Sequence, residues 1–468
     1  MDYTKLYING DWVEPNSKEF IDVENPATKE IISKVPRSNE IDVNKAIEAA
    51  HNAFETWQFT TIEDRTTLVN KLYDELIKRV DIMAETIVKE LGCGIKFARN
   101  VQVIPYLDDI KKYVKLVNEY KFEEEFENYT VRKEPVGVIG ALTPWNYPLG
   151  QITKKIIPAL LTGNTVVLKP SQNTPLVAYL LTDAIHASGF PEGVFNLVTG
   201  KGSEVGDLIA QHKDVNMISF TGSTMGGIEV GKVALNDVKK LALELGGKSP
   251  SIVLKGADYR LAVQKTLDKV YNNTGQTCSA YSRMIVPKED KENIENLVVE
   301  MTKTYKFGNP KDPETIIGPL VSKKQFEKVK SYIQKGIDEG AKLLIGEIPK
   351  DDQDGYFVGP TVFANVDNNM KIARDEIFGP VLSIIPYETE EEAIRIANDT
   401  VYGLSGGVFG PEEKALSIAK KIKTGSIVVN EGGFNHQAPF GGFKQSGIGR
   451  EGGVFGLEEY LEVKAIFK

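Results

Sequence analysis

Residues 136–148 read VGVIGALTPWNYP, an apolar run that stops at a turn bracketed by Pro144 and Pro148. The run predicts a buried strand. Further apolar runs at 165–168, 194–198, 215–220 and 251–254 repeat it, with helical stretches between several of them. One such stretch, 174–188, closes on Gly189 at the C-cap position. Strand and helix in alternation predict βαβ units and a parallel sheet. Ligands bind such sheets at the carboxyl ends of the strands, which is where the 143–148 turn falls. A second alternating series, from about 282 to 430, predicts another α/β domain.

The chain has 468 residues, 41% hydrophobic and 26% charged, more than one simple core accommodates, so two or three domains are expected. Its formal net charge of −9 argues against a nucleic acid partner. Residues 1–13 show no basic segment followed by an apolar core, and no apolar run approaches bilayer length. Neither secretion nor membrane insertion is expected. Cys93 and Cys278 are the only cysteines, which excludes a disulfide framework and suits a reducing cytoplasm. His51, His186, His212 and His436 are scattered, and no metal site is expected.

Near the N-terminus, KLYINGDWV (5–13) predicts a hairpin turning at Asn9 and Gly10, residues that accept positive φ. Val43, Ala46, Ile47, Ala50, Phe54 and Trp57 fall on one helical face. A second helix is predicted with Thr60 and Glu63 as a capping box and Leu68, Leu72, Leu76 and Val80 as its stripe. Two segments fit neither α/β series. KFEEEFENYTVRK (121–133) reads equally as a solvated hairpin or an interface element, and 460–468 alternates like a strand needing a neighbour.

Four elements offer chemistry. Cys278 lies in NNTGQTCSAY (272–281), whose small polar flanks suit a loop presenting a thiol. Cys93, in LGCG (91–94), also has glycine flanks, so flanks alone do not separate the two. LALELGGKSP (241–250) sets Glu244 in an apolar run, where burial raises a carboxyl pKa toward that of a neutral-pH base. The bland alternative is an exposed glutamate on an edge strand. Asn146 is a neutral donor able to stabilise an oxyanion, or a simple turn residue. FTGSTMGG (220–227), between a strand and a helical stretch from Ile228, lets phosphate approach helix N-terminal amides, although it is not GxGxxG.

In this order the four elements resemble the aldehyde dehydrogenase superfamily. The resemblance runs from NGDW (9–12) to EVK (462–464), through LKPS (168–171), EIFGP (376–380), YGLS (402–405) and PFGGFKQSG (439–447). It implies an α/β fold with a Rossmann-like nucleotide-binding domain at 1–116 and 134–246 and an α/β catalytic domain at 247–448. A small β oligomerisation arm, 117–133 with the C-terminal segment 449–468, is expected to pair with a neighbour's terminal strand. A homodimer or homotetramer follows.

The resemblance also implies a mechanism. The Cys278 thiolate adds to the aldehyde, and the Asn146 amide and Cys278 N–H hold the oxyanion. Hydride passes to NAD or NADP, and water activated by Glu244 hydrolyses the thioester, with Lys155 supporting the network. Cofactor contacts are implied at Thr143, Trp145, Lys169, Gln172, Gly202, Ser203, Gly222, Ser223, Gly227, Leu245, Gln325, Glu376 and Phe378. The substrate wall is implied at Tyr147, Gly150, Gln151 and Lys154. Gln172 departs from the glutamate of NAD-preferring relatives, whose charge repels a 2′-phosphate, so NADP is expected to be tolerated with Lys169 as counter-charge. Lys154 stands where succinic semialdehyde relatives place arginine; it either binds a substrate carboxylate as a point charge or faces solvent. A CoA-acylating enzyme, a Cys–His hydrolase and a non-catalytic cofactor-binding protein are the rival readings. Glu244 argues against the first, the lack of a recognisable histidine partner motif against the second, and the trio Cys278, Glu244 and Asn146 against the third.

Overall fold

The computed structural model describes residues 3–433 and 435–468. Met1, Asp2 and Phe434, which fall within the expected domains, lie outside the described residues. The run that opens the sequence argument becomes the strand Val138–Leu142, inside an eight-stranded sheet. Thr165–Lys169 and Met217–Thr221 flank it in parallel, and Phe195–Leu197 and Lys240–Glu244 extend the sheet outward on the two sides. Val138–Leu142 and Thr165–Lys169 are buried throughout, as parallel strands covered by helices on both faces must be. The chain runs outward on one side of Val138–Leu142 and resumes on the other with Met217–Thr221. Strand order therefore reverses there, opening a crevice at the carboxyl ends.

Antiparallel strands finish both edges. Leu6–Ile8 and Asp11–Val13 form the expected hairpin, turning through Asn9 (φ 54°) and Gly10 (φ 83°). At the far edge Gly447–Ile448, assigned from sequence to the second domain, pairs with Lys240–Glu244. The second sheet has seven strands, in the order Lys342–Ile345, Thr361–Ala364, Val381–Tyr387, Arg283–Pro287, Pro250–Val253, Gly407–Phe409 and Val428–Val429. All its pairings are parallel except the first. The α/β class expected from sequence is the class observed.

Glu40–Trp57 buries Val43, Ala46, Ile47, Ala50 and Trp57 along one face, as predicted. The next helix, Ile62–Ile77, corrects the predicted capping box by one residue. Thr60 donates to the Trp57 carbonyl at 2.6 Å and closes the preceding helix, which leaves Thr61 and Asp64 to form the box. Val80 opens a separate helix, Val80–Leu91, rather than ending this stripe. The helix after Met217–Thr221 begins at Thr224 instead of Ile228, because Ser223 caps it by accepting from Gly226 N–H at 3.1 Å.

A third sheet corrects the expected arm. Glu123–Glu125 and Tyr129–Pro135 form a hairpin, and Leu461–Phe467 of the same chain, not a neighbour's, pairs along Tyr129–Pro135. The cause lies just upstream, where Tyr460 is buried. Its hydroxyl meets Ser219 Oγ at 3.0 Å and its carbonyl accepts from Asn164 Nδ2 at 2.9 Å, which delivers the strand to its partner. Among the described residues no helix is long and apolar enough to cross a membrane, and no cluster of three His, Cys, Asp or Glu side chains could hold a metal ion.

Candidate active site

A cavity of about 780 Å³ opens at the strand-order reversal. Of the residues singled out in the sequence, Thr143, Trp145, Asn146, Gln151, Lys169, Gln172, Gly202, Gly222, Ser223, Leu245, Cys278, Gln325, Glu376 and Phe378 line it. Ser203 and Gly227 do not. Ser203 is exposed, and the Cα of Gly227 packs against Leu245, where a Cβ would fall 2.4 Å from Cδ2. Glu376 is the one carboxylate among the described lining residues. Burial raises its pKa, and it accepts from Gly247 N–H at 2.9 Å. Lys169 is buried, and desolvation pushes its pKa down to about 8. Phe378 stands at φ 63°, costly for a bulky residue, and packs edge-on against Trp145 with centroids 5.2 Å apart. The Gln325 amide donates to the carbonyls of Ile377 and Phe378 at 3.1 and 2.7 Å, holding that backbone in place.

Cys278 is half-buried, on the loop after the helix Tyr259–Tyr271. Gly247 admits this loop: a Cβ there would lie 2.3 Å from the Cys278 carbonyl oxygen. Burial, and then the charges of Glu376 and Glu244, push the Cys278 thiol up to about 12. Asn146 donates from Nδ2 to the Gln276 carbonyl at 3.0 Å, leaving its second N–H directed elsewhere.

Glu244 ends its strand buried, and among the described residues neither carboxylate oxygen has a hydrogen-bond partner. Gly441, in the PFGG segment, makes room for it, since a Cβ there would sit 2.6 Å from Oε1. Burial first, then the charge of Glu451, raises the Glu244 pKa well above the ordinary glutamate value. Glu451 itself pairs with Lys155 at 2.8 Å, and Lys155 also donates to Ser219 at 3.2 Å. Burial works to raise the Glu451 carboxyl, but the charges of Lys155 and Lys154 and the Lys155 hydrogen bond together outweigh it, and the net shift is downward.

The sequence model of the aldehyde dehydrogenase family matches residues 12–466. The chain belongs to the aldehyde dehydrogenase family. A relative from Staphylococcus aureus (strain bovine RF122 / ET3-1) is 46% identical over 468 residues, covering 99% of this chain and 98% of its own. Among solved structures, a cysteine-to-alanine mutant of aldehyde dehydrogenase C from Pseudomonas syringae, complexed with NAD+ and octanal, is 43% identical. It superposes with a TM-score of 0.98 over 99% of this chain and 96% of that one. Betaine aldehyde dehydrogenase from Staphylococcus aureus, complexed with NAD+, is 40% identical, with a TM-score of 0.95 over 99% and 94% of the two chains. NAD-dependent aldehyde oxidation is the activity that membership of this family carries.

The expected substrate residues separate, with Gln151 lining the aldehyde dehydrogenase cofactor cavity and the other three outside its lining. The Tyr147 hydroxyl meets Thr277 Oγ1 at 2.9 Å. Gly150 is covered by the Tyr106 ring, whose carbons lie 2.3–2.6 Å from where a Cβ would be, so Tyr106 supplies the surface there. Lys154 is partly buried and among the described residues is paired with no acid at hydrogen-bond distance: its ammonium sits 4.7 Å from the Phe440 centroid and 5.8 Å from that of Tyr106. The sequence reading missed Glu451, Gln102, Lys324 and Lys328. Lys328 had a signal, because on the helix Lys323–Asp338 it lies three residues after Gln325 and shares its face, and Lys324 lies four residues before Lys328. Glu451 had none.

Proposed function

We propose that this chain oxidises an aldehyde to a carboxylic acid, with NAD or NADP accepting the hydride and the acyl group passing from Cys278 to water. The observation supporting this is Glu244, a buried carboxylate without hydrogen-bond partners among the described residues, close enough to raise the Cys278 thiol by its charge. Such a carboxylate is costly to bury, and groups kept at that cost cluster at functional sites. The cavity fits a dinucleotide. Gly222 and Ser223 open onto the N-terminus of Thr224–Ala234, which suits a pyrophosphate, and buried Lys169 and Glu376 lie apart as polar anchors for two sugars. When bound, the nicotinamide supplies the hydride acceptor. The chain does the rest: Cys278 attacks, the Asn146 amide and Cys278 N–H steady the oxyanion, and Glu244 takes a proton from the water that cleaves the thioester.

The test is reduction of NAD+ and NADP+ over aliphatic, aromatic and carboxylated aldehydes, with and without CoA. Turnover without CoA is expected; a strict CoA requirement would make the enzyme an acylating one instead.

Gln172 and Asn173 line the cavity with Lys324, a counter-charge for a 2′-phosphate, and also line an adjoining cavity that holds Asp22 and Glu24. Gln172→Glu is expected to lower kcat/KM for NADP+ by roughly tenfold or more and to leave NAD+ little changed. Equal values for parent and variant with NADP+ would mean the phosphate lies elsewhere.

A second reading narrows the substrate to semialdehydes. It rests on Lys154, whose charge reaches Cys278, Glu244 and Glu451 from its place over the two rings. Lys154→Ala should then raise KM for carboxylated aldehydes about tenfold and spare neutral ones, the scale of one exchanged charge contact. An unchanged KM for both classes removes the idea.

The division into 1–116 with 134–246, 247–448, and 117–133 with 449–468 is supported by sheet membership, apart from 447–448 in the first sheet and 134–135 in the arm. A homodimer or homotetramer is supported by Val463 and Phe467, 68% and 76% exposed on a strand paired along one edge. Two free thiols suit a cytoplasmic setting.

A further inference from the structure

Residues 95–119 are helical throughout, but Ala98–Val103 winds as a π-turn in which Ile104 N–H bonds to the Arg99 carbonyl. Pro105 accounts for it. Proline has no N–H to give and its ring crowds the carbonyl four residues back, which disfavours a regular α-helix through this point. The widened turn removes the conflict, and such turns frequently mark functional sites.

The turn carries Gln102, which is fully buried. Its Nε2 faces three acceptors: the Asn146 carbonyl at 3.3 Å, Asn273 Oδ1 at 3.4 Å and Cys93 Sγ at 3.6 Å. The amide orientation follows from the partners. Asn273 Nδ2 donates to the carbonyls of Asn146 and Gln276 at 2.7 and 3.2 Å, which leaves only its oxygen for Gln102. Gln102 thus joins the turn that presents Asn146 to the loop that presents Cys278. That loop needs holding. Asn273, Thr274 and Gly275 stand in succession at φ 51°, 59° and 74°, a region disfavoured for β-branched Thr274. Thr274 is held in turn by Gly318, whose N–H it accepts at 3.0 Å.

We propose that Gln102 is a positioning residue for the oxidation. It ties the Asn146 turn to the left-handed 273–275 segment and so fixes the oxyanion donor relative to the thiol. This rests on the roles given above to Asn146 and Cys278. Gln102 does not line the cofactor cavity, and it acts through those two residues.

The experiment compares the full-length parent with Gln102→Leu, Gln102→Glu and Cys278→Ala. In Gln102→Leu, kcat is expected to fall roughly 10- to 100-fold, the effect of a displacement near 1 Å, with KM for cofactor within about twofold of the parent. Gln102→Glu keeps the shape but turns an ionised oxygen toward two oxygen acceptors. Its kcat relative to the parent should rise as pH falls, because the protonated carboxyl regains one donor. A purely structural role predicts no such recovery. The proposal fails if Gln102→Leu keeps kcat within twofold, or if both variants lose kcat and cofactor affinity together with no change in pH profile. If Gln102→Leu does not fold, the near-isosteric glutamate variant decides alone by its pH profile. Turnover surviving in Cys278→Ala would instead overturn the underlying roles.

Discussion

Cys278→Ala is expected to reduce no cofactor above background with any aldehyde, a loss on the order of 10⁴-fold or more in kcat, while still binding NAD+ as the parent does. Binding survives because the cavity is built from Lys169, the Gly222–Ser223 turn and Glu376, and the Cys278 side chain holds none of them in place by a hydrogen bond. Chemistry does not survive, because no second thiol can replace the first. Cys93 is buried, its sulfur accepts from Gln102, and, unlike Cys278, it is not among the residues lining the cofactor cavity. Stopped-flow absorbance of the reduced cofactor, beside a fluorescence titration of binding, reads both halves. Retained turnover would eliminate a thioester on Cys278.

Glu244→Gln should separate the two halves of the reaction. Steady-state kcat is expected to fall about 10²- to 10⁴-fold, while a single-turnover burst of reduced cofactor persists, since hydride leaves before water is needed. The sign of the pH dependence follows from the raised pKa. The base works only when ionised, so hydrolysis in the parent climbs with pH through a value above the ordinary glutamate range, and this limb vanishes in the variant. The thiol moves the other way. Glu244 is one of the charges raising the Cys278 pKa, so its removal lowers that pKa and quickens alkylation near neutrality even as turnover collapses. Loss of the burst together with turnover would assign Glu244 to activating the thiol and not to releasing the acid.

Features read most easily from the sequence are those set within one turn of helix or one strand. The 136–142 and 165–168 runs could be recognised because a buried parallel strand shows apolar residues at every position. The Asn9–Gly10 turn and the Gly189 cap have local signatures of the same kind. Most of the cavity residues were implied by the family resemblance; only the 143–148 turn and the 220–227 segment, at strand ends of the parallel sheet, could be read from the residues themselves. Glu451 and Gln102 escaped because nothing nearby marks them. Glu451 reaches Lys155 only through tertiary folding, and Gln102 is aimed by a π-turn that hydrophobic periodicity does not reveal. The arm was misjudged because a strand pattern shows that a partner is needed but not which chain provides it.

The return of the C-terminal segment to the first sheet has a consequence for the order of assembly. Lys155 meets Glu451, and Asn164 meets Tyr460, across 296 residues of chain in each case. Contacts of that span carry a large loop-closure entropy and form after local ones, and on the ribosome they wait for the distal residues to emerge. The parallel sheet and its nucleotide crevice can therefore consolidate early, while the acidic pocket around Glu244 stays open to water. Catalytic competence is expected to follow consolidation of the sheet, since Lys155 and Glu451 meet only once the distal segment has docked.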